Sequence, residues 1–167
     1  MLLRVLRFVR LPLVLLVIWT IARFSVGLAG VPYAPRGNAM FSIVGMMLIC
    51  TLIYGAMSNR VGNFNWVGTI LIGVVIGLFA QILIFTATLI SYAANLDTYF
   101  THWDALNIPE GTTVPMAKAM ATRAGGLLAG PIMGAIIALI ARAVFGKLAP
   151  RCDDAGSSGG SSSARLS

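Results

Sequence analysis

The sequence is poor in charged residues of either sign. Charged side chains make up 10% of its 167 residues and hydrophobic ones 58%, whereas an ordinary soluble domain carries about 25% charged residues. So few charges cannot cover the surface of a soluble particle of this size. The composition therefore predicts an integral membrane protein, and its class is predicted to be all-α because backbone groups cannot stay unpaired in lipid.

Acidic, histidine and cysteine side chains are especially scarce, which limits the chemistry available. The chain has five acidic residues, one histidine and two cysteines, Cys50 and Cys152. It has no Cys-x-x-Cys or His-Glu-x-x-His spacing of the kind that binds metal. The predicted spans contain no Asp, Glu or Lys, so the intramembrane carboxylate typical of proton relays is missing. We expect no catalytic site, no metal and no cofactor.

Four apolar runs are long enough to cross the hydrocarbon core as helices, which takes about 20 residues. Residues 1–150 are predicted to form one transmembrane domain with spans at 11–30, 39–57, 66–91 and 124–145. The expected architecture is an up-down bundle of four transmembrane helices with a short amphipathic outer loop. Residues 151–167 are rich in Gly and Ser and are predicted to form a disordered cytoplasmic tail.

The first run allows two interpretations. Three arginines precede the uncharged residues 11–22, and residues 27–29 supply a small-residue cleavage pattern, as in an export signal. Arg23, however, lies between the apolar run and that pattern, where a positive charge hinders translocation. An arginine near the end of a span costs less than one at the centre, because its side chain extends towards the surface. We favour an uncleaved first span that ends before Pro32.

Basic residues are distributed unequally between the two sides of the predicted bundle. With the N-terminus inside, eight Lys and Arg lie in cytoplasmic segments and four lie outside, as the positive-inside rule requires. Ten arginines against two lysines suit a GC-rich bacterial genome. We expect a multi-pass protein of the cell inner membrane with both termini cytoplasmic. The basic residues stand singly at the edges of apolar runs, so no nucleic-acid partner is predicted.

Small residues recur every four positions in the fourth span. Gly126, Gly130 and Gly134 form a smooth groove for another helix, and Gly73 and Gly77 form a shorter one in the third span. We interpret these five glycines as helix-packing residues, in a glycine zipper. Packing within the chain, a dimer face and a pore-lining stripe are the alternatives. Pro131 lies in the same groove and is a candidate hinge.

Polar residues at membrane depth are few. Gln81 is expected near the middle of the third span, with Thr86 and Thr88 on the same helix. Their simplest role is an interhelical hydrogen bond. The alternative is a polar path for a substrate.

The segment 97–123 is the one sizeable segment between the predicted spans, and it contains the single histidine of the sequence. His102 and Asp104 have the spacing of half a metal or acid-base site. Because no further partner is fixed by the sequence, we interpret the segment as an interfacial loop whose aromatic residues lie among lipid headgroups.

These observations predict a small membrane protein that is not an enzyme. Its expected role is an accessory, assembly or self-associating subunit, either as a homo-oligomer or in a larger membrane complex. The alternative is a transporter or channel component for a small neutral or hydrophobic molecule.

Overall fold

The computed structural model describes residues 1–33, 41–106, 109 and 114–148, and these are helical with connecting turns. Five α-helices follow one another: α1 (Leu2–Phe8), α2 (Arg10–Leu28), α3 (Ile43–Met57), α4 (Trp66–Ala93) and α5 (Met116–Phe145). A short 3-10 turn, Asp104–Leu106, precedes α5. The all-α class is therefore confirmed, with no strand among the described residues. The predicted tail lies outside them.

Three helices, α2, α4 and α5, are long and apolar enough to cross a membrane. The second predicted span, 39–57, is shorter in the structure, since α3 has 15 residues and is about 22 Å long against a hydrocarbon core of about 30 Å. Ser42 begins α3, because its hydroxyl accepts a hydrogen bond from the Gly45 N–H at 3.2 Å. The structure thus supports three spanning helices, whereas the predicted up-down bundle of four is not confirmed.

The N-terminal segment forms two helices: α2 covers most of the first predicted span, 11–30, and the short α1 precedes it. Pro12 has no N–H to donate to the Phe8 carbonyl, and its ring crowds that carbonyl. The chain accordingly leaves helical geometry at Val9. Helix α1 packs on the start of α4 and on the turn before it, and it buries Val5 and Val9 completely. Val5 and Val9 therefore belong to the core, whereas Arg4, Arg7 and Arg10 are exposed.

Helices α4 and α5 are the longest elements and lie against each other. Asn65 begins α4 by accepting a hydrogen bond from the Gly68 N–H at 2.8 Å. Helix α5 begins at Met116, ahead of the predicted span at 124, and continues through Pro131 without interruption. Helix α3 packs against both of them, and α2 packs against α3 and α4.

One end of the bundle brings together α1, the end of α3, the start of α4 and the end of α5; we call it the terminal end. Arg142 of α5 donates to the Phe64 carbonyl at 3.0 Å and to the Thr69 hydroxyl at 2.6 Å. Its guanidinium also lies 4.4 Å from the centre of the Trp66 ring. On α1, Arg4 donates to the Gly62 carbonyl at 2.8 Å. Two arginines thereby hold the 58–65 turn.

Replacing Arg142 with Ala is expected to lower the free energy of unfolding by about 1–3 kcal/mol, since a charged hydrogen bond and a cation–π contact are lost together. The measurement is reversible unfolding of the full chain in mixed micelles, followed by helical circular dichroism. Lys147→Ala removes the same charge from an exposed residue next to α5 and should leave the curve unchanged. Equal losses in the two variants would contradict the proposed contact.

Candidate functional site

The α4–α5 contact is made at the five glycines predicted to pack helices, which we call the glycine seam. A Cβ atom added at Gly73 would lie 2.5 Å from the carbonyl carbon of Gly134, and one added at Gly77 would lie 2.8 Å from that of Gly130. Real Cβ atoms are not found so close to a backbone. The helices therefore touch main chain to main chain, within one molecule.

Gln81 lies at the same interface, one turn beyond Gly77. A Cβ atom added at Gly126 would lie 2.7 Å from its Oε1 atom, and one added at Gly130 would collide with its side chain. Helix α5 can pass Gln81 closely because it has no side chains at these two positions. The Gln81 side chain thus fills the space that side chains at positions 126 and 130 would otherwise occupy.

The two threonines predicted to accompany Gln81 lie in different surroundings. Thr86 is exposed on the outside of α4, whereas Thr88 is completely buried. The Thr88 hydroxyl donates to the Ile84 carbonyl of its own helix at 2.8 Å. Gln81, Thr86 and Thr88 therefore do not line one common path.

Pro131 directly follows Gly130, which makes one of the close backbone contacts of the glycine seam. A Cβ atom added at Gly77 would lie 3.1 Å from the Pro131 Cα atom, and α5 is continuous on both sides. Its role as a hinge stays a prediction.

A third close contact was not anticipated from the sequence. A Cβ atom added at Gly55 of α3 would lie 2.8 Å from the Cα and carbonyl oxygen of Ala138. Helix α5 is thus approached closely by α4 and by α3. The missed signal is a single small residue, Gly55, two residues before the end of α3, at the level of Ala138 on the small-residue face of α5.

The opposite end of the bundle, which we call the loop end, contains a cavity of about 170 Å³ lined by two arginines. Arg23 comes from α2 and is 7% exposed, while Arg123 comes from α5 and is partly buried. Ile43, Ile84 and Phe100 supply apolar walls. We call this site the arginine pocket. The sequence places Arg23 near the end of the first predicted span and does not connect it with Arg123, because a separation of 100 residues conceals their proximity.

Aromatic rings hold the Arg23 guanidinium in place. Its central carbon lies 5.7 Å from the ring centres of both Tyr33 and Phe100 and 5.5 Å from that of Tyr99. Arg23 also donates a long hydrogen bond, 3.4 Å, to the Tyr33 hydroxyl. Gly27 permits this arrangement, since a Cβ atom there would lie 2.9 Å from the Tyr99 backbone nitrogen.

The N–H donors of Arg123 are only partly satisfied by hydrogen bonds. One of its terminal nitrogens donates to the Phe100 carbonyl at 3.5 Å, at the outer limit for a hydrogen bond. Its Nε–H is buried and has no hydrogen-bond partner. Buried donors are rarely left in this state, because each costs free energy.

His102 and Asp104, the suggested half-site, form a local turn beside this pocket. The Asp104 backbone N–H donates to His102 Nδ1 at 3.3 Å. The imidazole stacks on the Tyr33 ring, with centres 4.1 Å apart and planes within 10°. Within the ranges that the structure describes, no three metal-binding side chains come together. His102 therefore serves as a stacking partner for the Tyr33 ring.

Comparison with protein-family models, with curated proteins and with solved structures finds no match to this chain. Its function therefore has to be argued from its own residues.

Replacing Gly134 with Ala should lower the free energy of unfolding by about 1–3 kcal/mol, since the added methyl forces two backbones apart. Gly125→Ala is the matched control, because no atom lies within 4 Å of a Cβ added there. That control should be neutral or slightly stabilising, since Ala favours the helix. Unfolding in mixed micelles measures both, and a Gly134→Ala variant as stable as Gly125→Ala would contradict the backbone contact.

Proposed function

We propose that this chain is a non-enzymatic, multi-pass membrane protein that serves as an accessory or assembly subunit of a membrane complex. The supporting observation is that polar side chains at membrane depth contact the chain's own helices. Gln81 packs on Gly126 and Gly130, and Thr88 bonds to its own backbone. This arrangement fits a protein that transports no solute, because such a protein needs no path lined by polar side chains through its spans.

The exposed apolar surface of α5 is compatible with an accessory or assembly role. Leu128, Ile132, Ile136 and Ile140 repeat every four residues along α5, on the side away from the glycine seam, and each is more than half exposed. Because lipid tails are as apolar as these side chains, the stripe is compatible with lipid and with a partner helix alike. Since the seam glycines are occupied within the chain, association with a second copy or another subunit would use this outer surface.

The finer membrane placement is part of the same proposal. We place the chain in a bacterial inner membrane with both termini in the cytoplasm, on the excess of Lys and Arg at that side. In this orientation the terminal end faces the cytoplasm and the arginine pocket faces outwards. Helix α3 would complete the four predicted crossings.

Transport of a small neutral or hydrophobic molecule is the alternative function. It requires Gln81 to contact a solute, whereas this side chain lies against α5. The accessory role needs no such rearrangement and is therefore preferred.

A photoreactive residue at Ile136, activated in native membranes, is expected to give one discrete protein adduct. The adduct's mass distinguishes a second copy of the chain from a different subunit. The matched control is the same probe at Ile72, which is completely buried and should give no intermolecular adduct. Absence of adducts at both Ile136 and Ile132, together with solute flux into liposomes that Gln81→Leu abolishes, would favour the transporter instead.

The orientation is tested with a thiol reagent that does not cross membranes. Cys152 lies outside the described residues, and Cys50 is buried in α3. We expect no labelling of intact cells and labelling of Cys152 after the inner membrane is permeabilised. A Cys152→Ser variant controls for reaction at Cys50. Labelling of Cys152 in cells whose outer membrane alone has been permeabilised would reverse the assigned orientation.

A further inference from the structure

The arginine pocket concentrates positive charge where the membrane gives little solvation. Arg23 lies five residues before the end of α2, and Arg123 lies seven residues after the start of α5. At the rise of an α-helix these positions are about 8 Å and about 10 Å from the helix ends. A bilayer with its headgroups is about as thick as α5 is long, so a spanning α5 would place Arg123, and Arg23 at the same cavity, close to the boundary between headgroups and hydrocarbon.

Two cations that share a small cavity are costly at this depth. Arg23 is close enough to act electrostatically on Arg123, and like charges repel more strongly in a medium of low dielectric constant. Among the described residues that line the cavity, these two are the charged ones. An anion placed between them would convert the repulsion into two attractions.

The geometry also provides hydrogen-bond donors. The Nε–H of Arg123 is buried without a partner, and the guanidinium of Arg23 is held by three aromatic rings. A guanidinium presents its N–H groups in a planar fork that matches the oxygens of a phosphate. The Arg23 fork is held by these rings before any ligand binds, and this preorganisation reduces the ordering cost of binding.

The size and walls of the cavity limit what can enter. At about 170 Å³ it is smaller than the roughly 300–1,000 Å³ of pockets that enclose a drug-sized ligand. It accommodates a phosphate group and a few neighbouring atoms. Ile43, Val44 and Ile84 line the same cavity, so apolar atoms attached to the phosphate also find contacts.

We propose that the arginine pocket binds a phosphate group, with Arg23 and Arg123 as its two guanidinium ligands. The apolar walls and the depth in the bilayer fit the headgroup phosphate of an anionic phospholipid. A free phosphate in solution offers the same chemistry. Binding would hold α2 and α5 together at the loop end, where no backbone contact of the glycine-seam type joins them.

The experiment uses the full chain in an uncharged detergent, with the thermal midpoint Tm measured as additives are titrated. The additives are dioctanoyl phosphatidylglycerol, dioctanoyl phosphatidylcholine, inorganic phosphate and, as the ionic-strength control, sodium chloride. We expect a saturable rise of Tm with phosphatidylglycerol beyond that given by chloride. The phosphatidylcholine response should be weaker, because its own ammonium group neutralises the phosphate.

The inorganic phosphate arm identifies the source of the ligand. A rise with phosphatidylglycerol alone indicates a lipid headgroup, and a rise with inorganic phosphate indicates that a free anion suffices. Either result supports phosphate binding. If neither additive raises Tm beyond the chloride control, the proposal is wrong.

Variants assign the binding to the pocket. Arg23→Gln and Arg123→Gln should each weaken the apparent affinity about tenfold, the effect of losing one charged hydrogen bond. Lys118→Gln removes the same charge from an exposed position of α5 and should bind as wild type. If Arg123→Gln fails to fold, Arg123→Lys keeps the charge but lacks the fork, and weakened binding is expected there too. Wild-type affinity in the Arg123 variants would overturn the assignment.

Discussion

The close approach of α4 and α5 is the constraint on which the rest of the structure depends. Where Gly73 meets Gly134 and Gly77 meets Gly130, the two main chains are in contact. In lipid there is little hydrophobic force between helices, so close packing of small residues has to supply the attraction. The pair then provides a fixed surface, on which Ala138 of α5 receives Gly55 of α3.

The arginines show how a chain with five acidic residues accommodates its positive charge. At the terminal end Arg4 and Arg142 bond to carbonyls and lie over aromatic rings. These contacts join helices without a carboxylate. At the loop end Arg23 is held by rings in the same way, but the Arg123 Nε–H has no acceptor. The two ends of the bundle therefore differ in how far their arginines are satisfied within the chain.

Much of the helical layout could be predicted from local sequence. Uncharged runs located α2, α4 and α5, and the break at Val9 could have been read from Pro12. The glycine periodicity identified which face of α5 packs, but it could not specify the register that sets Gly73 against Gly134. The arginine pocket was beyond local reasoning, because Arg23 and Arg123 are 100 residues apart and are brought together by tertiary packing, in which the Tyr99 backbone lies against Gly27. The length of α3 was overestimated, since an uncharged run does not fix where its helix starts.

That short helix has a consequence for the surrounding lipid. Helix α3 is about 8 Å shorter than an average hydrocarbon core, while Ile49, Leu52 and Ile53 on one side of it are exposed. If α3 crosses the bilayer as proposed, the lipid beside this face would have to become locally thinner, or a neighbouring protein would have to shield the ends of the helix; either response is a form of hydrophobic mismatch. The helices around the bundle therefore differ in length: α4 and α5 are long enough to cross a membrane, and α3 is shorter. Thin membrane regions and the edges of larger assemblies are the environments in which such a shape is least strained.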